Sequence, residues 1–201
     1  MMLKKYVVKI TFLEELLGTV AKDEEIYSNF IASKAPDDVE TGDEIETVPD
    51  PEIGVTGFHR LDDGTPILYD YVIKGFMKDA CGMLRRDSDT LSKKLTAYKK
   101  VIDGMVFPFP RRIKITLPEG EELGRLERPL RAQTARGERI ALACSETVPV
   151  GSSIEFTIKT MGKDASLAIL KEWFDYGIFR GLGQWRNGGY GRFEYEIKEV
   201  E

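Results

Sequence analysis

The chain has 201 residues, enough to bury a sizeable core, and its apolar (42%) and charged (31%) fractions are ordinary for a soluble globular protein. No apolar run approaches the roughly 20 residues of a membrane helix, and the short, charged N-terminal stretch is unlike a signal peptide. Two distant cysteines, Cys81 and Cys144, and a single histidine argue against a zinc site. We therefore expect a cytoplasmic protein with free thiols and no metal or cofactor.

The net charge of −5 conceals a segregation of charge along the chain. Residues 1–73 carry a balance of −10, residues 74–139 one of +7, and residues 140–201 one of −2. Segregated charge allows a basic surface on an acidic protein, so the acidic composition does not exclude a nucleic-acid partner. The alternative is that exposed helices and loops simply carry many lysines.

The first quarter of the chain predicts a strand, a short helix and an acidic insertion. Residues 4–13 alternate as a strand, and residues 23–32 have the apolar spacing of a short helix. Between Lys34 and His59 there is no lysine or arginine, and 34–56 reads as a solvated acidic insertion. Its carboxylates lack the spacing of a calcium loop, which disfavours a metal site. They are Asp37, Asp38, Glu40, Asp43, Glu44, Glu46, Asp50 and Glu52.

The middle of the chain predicts a hairpin over 57–68, because an Asp-Asp-Gly turn separates two apolar segments. A helix over 71–86 follows, with Asp70 as its N-cap and an apolar stripe of Val72, Phe76, Ala80 and Met83 or Leu84. A second helix is expected over 91–101, ended by the prolines of 107–110.

Residues 111–117 alternate as a strand, and 118–139 predict an arginine-rich hairpin or thumb. Its arginines are candidates for phosphate contacts, although outward arginines paired with local glutamates would look the same. They are Arg125, Arg128, Arg131, Arg136 and Arg139. Strands over 140–148 and 153–159 follow.

The C-terminal part predicts an amphipathic helix over 165–176, a glycine-rich stretch over 177–193 and a strand over 192–200. The stretch holds six glycines, three arginines and four aromatic residues. Glycine lets another molecule approach the main chain, and the flat faces of Trp185 and Tyr190 could stack an unpaired base. The alternation of strands and helices predicts an α+β protein with a ferredoxin-like, RRM-like core carrying two large insertions.

Several stretches, taken in order, resemble the RAMP superfamily of CRISPR proteins, and within it the backbone subunit of type III effector complexes. They are the turn at Leu16-Leu17-Gly18, the segment 61–78 with its Lys74-Gly75 pair, the turn ending at Gly151, and the loop from Gly181 to Arg192. The resemblance implies one RAMP-like domain over 1–201. It also fits a stand-alone phage or mobile-element relative.

The chain also departs from that family. Tyr69-Asp70-Tyr71-Val72 stands where family members have Pro-Gly-Ser-Ser. The family's nuclease aspartate would fall near 55–57, which is Val-Thr-Gly here, with Asp50 and Glu52 further back. Cleavage of a target RNA is therefore not expected.

Three functions remain open from the sequence. The first is a non-catalytic module that binds single-stranded RNA or DNA, with RNA favoured. It would act as a homo-oligomer along the strand or in a ribonucleoprotein, with no membrane partner. The second is a metal-independent endoribonuclease of the RAMP type, for which His59 is a weak candidate base. The third is a phage-encoded protein-interaction or anti-CRISPR protein that uses the acidic insertion.

The candidate binding residues comprise two helix lysines, four hairpin arginines and six residues of the glycine-rich stretch. They are Lys74, Lys78, Arg125, Arg128, Arg131, Arg136, Arg180, Gly181, Gly183, Trp185, Arg186 and Tyr190.

Overall fold

The computed structural model of the protein describes residues 3–21, 55–134 and 137–200. The predicted helix over 23–32 and nearly all of the acidic insertion over 34–56 lie outside these residues. None of the helices in the described part has the length and apolarity needed to cross a membrane.

The described strands and helices follow one another in this order. The strands are β1 (Leu3–Phe12), β2 (Leu16–Leu17), β3 (Val20–Ala21), β4 (Val55–Gly57), β5 (His59–Arg60), β6 (Pro66–Tyr69), β7 (Val106–Phe109), β8 (Arg112–Thr116), β9 (Gly124–Thr134), β10 (Gly137–Val148), β11 (Ser153–Met161) and β12 (Phe193–Val200). The helices are α1 (Asp70–Leu84), α2 (Tyr98–Met105) and α3 (Leu167–Arg180), with 3-10 turns η1 (Leu91–Lys94) and η2 (Arg186–Gly188).

The centre of the main sheet has the strand order β12-β1-β11-β8, and the sheet continues through β6 to β5. Along the chain these four central strands and two helices run β1-α1-β8-β11-α3-β12. Numbered in chain order, the four strands lie across the sheet as 4-1-3-2, and all neighbours are antiparallel. With the two helices between them, this is the ferredoxin-like arrangement. The predicted α+β, ferredoxin-like fold is therefore confirmed.

The alternation of β1 explains why its sheet has one buried face. Tyr6, Val8, Ile10 and Phe12 are fully buried, while the residues between them point to the opposite face. Helices α1 and α3 cover the buried face, and Phe174 of α3 packs its ring 5.9 Å from that of Phe76 on α1. Full burial of each such side chain stabilises the fold by about 1.5–3 kcal/mol.

A second sheet includes β9 and β10, the two strands that lie between β8 and β11 in the chain. It has the order β2-β10-β4-β3, and β9 pairs with β10. The hairpin of β9 and β10 is antiparallel, with a register that runs from Gly137 opposite Thr134 to Thr147 opposite Gly124. Strands β10 and β11 follow each other at the predicted places but belong to different sheets.

Both cysteines are buried free thiols, as predicted. Cys81 lies on the inner face of α1, where burial raises the pKa of its thiol and keeps it protonated. Cys144 lies on β10, where its sulfur accepts a 3.6 Å hydrogen bond from the Arg125 guanidinium.

Two local predictions were wrong. The helix expected over 91–101 is interrupted between η1 and α2, where Leu95 has an extended backbone. The Glu172 carboxylate of α3 binds the start of η1, accepting the backbone N–H groups of Leu91 (2.6 Å) and Ser92 (2.9 Å). The second helix ends before the prolines of 107–110, as predicted. Residues 106–109 then form β7, which pairs with β11 on an edge where proline is tolerated.

The second error concerns α1. The helix begins at Asp70 itself, after Tyr69 in an extended conformation, and the Asp70 side chain makes no capping bond. The Asp70 N–H instead donates to the Arg111 carbonyl oxygen at 3.0 Å. The predicted apolar stripe is confirmed at Phe76 and Ala80, but the buried face also includes Ile73 and Met77, whereas Met83 is 42% exposed.

Two helical glycines give a matched test of the core. A Cβ on Gly177 of α3 would lie 2.1 Å from the Phe193 ring, whereas one on Gly75 of α1 would meet nothing within 4 Å. We predict that Gly177→Ala lowers the free energy of unfolding by about 2 kcal/mol through overpacking. Gly75→Ala should raise it by about 0.5–1 kcal/mol through helix propensity. Urea denaturation measures both, and an unchanged Gly177→Ala protein would contradict the described packing of α3 on β12.

Candidate nucleic-acid interface

The glycine-rich stretch is a closed loop between α3 and β12. Gly181 ends α3 with a φ of +76°, and the Leu182 N–H donates to the Gly191 carbonyl oxygen at 2.8 Å. A Cβ at Gly181 would lie 2.4 Å from the Tyr190 carbonyl oxygen, and one at Gly191 would lie 2.0 Å from that of Leu182. Only glycine fits at these two positions.

Backbone contacts also fasten this loop to the start of the chain. The Gly191 N–H donates to the Glu15 carbonyl oxygen at 2.8 Å, next to β2. A Cβ at Gly183 would come within 2.8 Å of the Leu16 side chain. The loop is thus held on both sides, and its outer edge is presented towards β9.

An open groove of about 560 Å³ lies between the loop and the β9 side chain of Arg128. Its lining combines arginines, amides, glycines and one indole. The lining residues are Arg128, Arg180, Gly183, Gln184, Trp185, Arg186, Asn187 and Gly188.

One end of the groove is aromatic. Trp185 has a φ of +49°, a left-handed conformation that a bulky residue adopts rarely and at a cost. This conformation leaves its ring 6.3 Å from that of Tyr190, at an interplanar angle of 62°. The Arg128 guanidinium lies over both rings, 4.5 Å from the Trp185 centroid and 5.2 Å from the Tyr190 centroid. A flat cation therefore covers the place where a base could stack.

The other end of the groove is cationic. One carboxylate oxygen of Asp79, on α1, accepts from Arg180 Nε at 3.1 Å and from Arg186 at 2.8 Å. Arg180 also donates to the Asn187 side-chain oxygen. The three charged side chains are only 26–28% exposed, so solvent screens them less than surface charges. Each guanidinium has five N–H donors, so donors remain for an anionic ligand.

The groove thus gathers five of the twelve candidate residues, namely Arg128, Arg180, Gly183, Trp185 and Arg186. Gly181 and Tyr190 belong to the same loop and shape it. Arg128 is far from the loop in sequence, and the β9–β10 hairpin brings it beside the loop.

Other candidate residues lie outside the groove. Lys74, the fifth residue of α1, donates to the Asp103 carbonyl oxygen at 3.1 Å, and Lys78 pairs with the Asp103 carboxylate at 2.5 Å. Arg125 pairs with Glu127 at 2.9 Å. The side chain of Arg131 and the whole of Arg136 lie outside the described residues.

His59 packs among aromatic side chains. Its ring meets the Tyr69 ring edge-on at 4.8 Å, and the Tyr71 ring stacks on the same Tyr69 ring at 5.4 Å. His59 thus lies in contact with other rings at the start of α1, away from the groove.

Sequence reasoning missed Asp79 and Asn187. Asn187 sits inside the glycine-rich stretch and could have been included with its neighbours. Asp79 carries no local signal, because it is one acid on a helix and its partner Arg180 is 101 residues away in sequence. Only the packing of α1 against α3 brings the two together.

Comparisons with known proteins bear on the fold. No protein-family model matches the chain, and no curated protein matches its sequence. Among solved structures, a chain of the type III-B Cmr-beta complex, determined by cryo-EM with cognate target RNA bound, superposes with a TM-score of 0.58 at 14% identity. The two chains share a fold. The match covers 99% of this chain and 61% of that one, so this chain spans under two thirds of its structural relative.

Two glycines with positive φ give a graded test of the loop. Gly64 has a φ of +84°, and a Cβ there would meet nothing within 4 Å. We predict that Gly64→Ala costs about 1 kcal/mol of stability from strain alone. Gly181 combines a φ of +76° with a ψ of 176°, a region open essentially to glycine, and a Cβ there would also overlap the Tyr190 carbonyl. Gly181→Ala should therefore cost about 3 kcal/mol in thermal or urea unfolding, and a loss no larger than that of Gly64→Ala would contradict the described backbone at Gly181.

Proposed function

We propose that this chain is a non-catalytic module that binds single-stranded nucleic acid in the groove between the glycine-rich loop and β9. The observation that carries the proposal is the pairing of ring faces with guanidinium groups in one open groove. Arginines contact phosphates, and aromatic rings stack bases without regard to sequence. Neither the arginines nor the ring faces in this groove are needed to stabilise the core.

Within the groove, each end has its own role. A base stacks against Trp185 and Tyr190, and the adjoining phosphate takes hydrogen bonds from Arg180 and Arg186. Asp79 positions these two guanidinium groups by one edge and leaves their other N–H donors to the phosphate. Arg128, which covers the rings, moves aside to let the base enter and then adds a third positive charge beside the strand.

We further propose that the strand is RNA and that the chain acts in a ribonucleoprotein of the RAMP type, assembling with further copies along the strand. The shared fold with a chain of a complex that holds target RNA supports RNA over DNA. The proposed role is non-catalytic, because residues 55–57 offer no aspartate where the RAMP nuclease residue would fall, and His59 packs against Tyr69.

A fluorescence titration tests this function directly. Trp173 is fully buried, so quenching by an added strand reports on Trp185. We predict that a single-stranded oligouridine of about 20 nucleotides quenches the emission at low salt and is released at high salt, as counterion exchange requires. Trp185→Ala should weaken binding about five-fold or more, measured by anisotropy of a labelled strand. Arg186→Ala should lower the slope of log K against log salt by about one.

Lys163→Ala is the matched control for the arginine change, since Lys163 is exposed and lies outside the groove. It should leave both affinity and salt slope as in the wild type. A wild-type protein that binds neither RNA nor DNA single strands at low salt would refute the proposed function. An equal loss of affinity and salt slope in the Lys163→Ala protein would show that Arg186 contributes only non-specific charge.

A further inference from the structure

A second aromatic site lies at the start of α1, outside the groove. His59, Tyr69 and Tyr71, which we call the tyrosine stack, come from β5, β6 and the first turn of α1. The Tyr69 and Tyr71 rings are nearly parallel, with centroids 5.4 Å apart and an interplanar angle of 13°. His59 meets Tyr69 edge-on at 4.8 Å. His59 and Tyr71 thus pack against Tyr69, so its orientation is restrained from two directions.

The outermost ring of the stack is exposed. Within the part of the chain that the structure describes, Tyr71 is 59% exposed although one face lies against Tyr69. The ring is therefore oriented by its neighbour without being buried by the core. A tyrosine held flat and accessible offers a stacking surface at little entropic cost, because its rotamer is already restrained.

The charges beside the stack favour an anionic partner. The Arg111 guanidinium lies 6.0 Å from the Tyr69 centroid, and Arg112 is the register partner of Tyr69 on the neighbouring strand. Lys114 follows on the same face of β8, and all three basic side chains are exposed. Among the described residues, the acids near the stack are Asp70, which adjoins it, Asp62 and Asp63, which lie in the β5–β6 turn, and Glu146, which binds the Phe58 N–H and pairs with Arg60.

The position of the stack relates it to the groove. Tyr71 and Asp79 are on the same helix, eight residues apart, which is about 12 Å along its axis. Asp79 holds the two groove arginines, so α1 connects the two aromatic sites. A strand leaving the groove along α1 would reach Tyr71.

We propose that Tyr71 stacks a second base of the same single strand, with Arg111 and Arg112 contacting the adjoining phosphates. This inference rests on the proposed nucleic-acid function and adds a binding site to it. It assigns a role to the aromatic residues that stand at 69–71, where the RAMP pattern has small residues. A base stacked on Tyr71 and one stacked on Trp185 belong to one bound strand, so both rings contribute to its affinity.

Tyr71→Ala and Tyr71→Phe test the site together, using the full chain and a labelled oligouridine of about 20 nucleotides at low salt. We expect Tyr71→Ala to weaken binding about five-fold or more, whereas Tyr71→Phe stays within two-fold because it keeps the ring. The melting temperature of both variants should stay near that of the wild type, since Tyr71 is largely exposed. Phe109→Ala, which removes an exposed ring on β7, is the control and should bind normally.

The double variant of Tyr71→Ala and Trp185→Ala separates this inference from the proposed groove. If one strand uses both rings, the two losses multiply. If Tyr71→Ala binds like the wild type while Trp185→Ala is weakened, the second site is refuted and the groove stands. If only Tyr71→Ala is weakened, the stack binds the strand and the groove does not. A wild-type protein without affinity for single strands overturns both the groove and the site at Tyr71. A loss of affinity in Phe109→Ala equal to that in Tyr71→Ala overturns the site at Tyr71 alone.

Discussion

The contact on which the candidate site depends is the close approach of two backbone segments at the ends of the glycine-rich loop. The Leu182 N–H donates to Gly191, and at Gly181 a Cβ would overlap the Tyr190 carbonyl. This contact closes the loop and directs β12 back beside β1. The Phe193 ring then fills the space left by the missing side chain of Gly177. The same glycines therefore support the core and shape the groove, which is why their substitution should affect folding as well as binding.

Charge is organised around the closed loop in a way that the composition hides. The chain is acidic overall, yet the described groove brings together three arginines and places the Asp79 carboxylate against two of them. Because Asp79 lies on α1, the orientation of the arginines depends on the packing of α1 against α3. The candidate groove is thus coupled to the core rather than carried by a free loop. On the proposed function, this coupling keeps the groove ordered before a strand arrives, so that little entropy is lost on binding.

Elements with a clear local period were predictable from the sequence, and those set by distant contacts were not. All four central strands of the ferredoxin-like sheet, β1, β8, β11 and β12, were located from the sequence with boundaries within a residue or two, and alternation marked β1, β8 and β12. The predicted 91–101 helix breaks at Leu95, in a segment whose start is bound by Glu172, some 80 residues away, and no local pattern reveals this contact. The candidate site followed the same rule. Trp185 and Arg186 share one segment and were found together, whereas the link to Asp79 needed the packed helices.

Photo-crosslinking tests most directly whether the loop holds a strand against its rings. An oligomer of 4-thiouridine, irradiated with the protein at low salt and mapped by mass spectrometry, marks the side chains that stack on bases. We expect crosslinks on the peptide that contains Trp185 and Tyr190, and their loss when salt releases the strand. Crosslinks confined to the open face of the main sheet, such as at Phe109, would contradict binding in the groove.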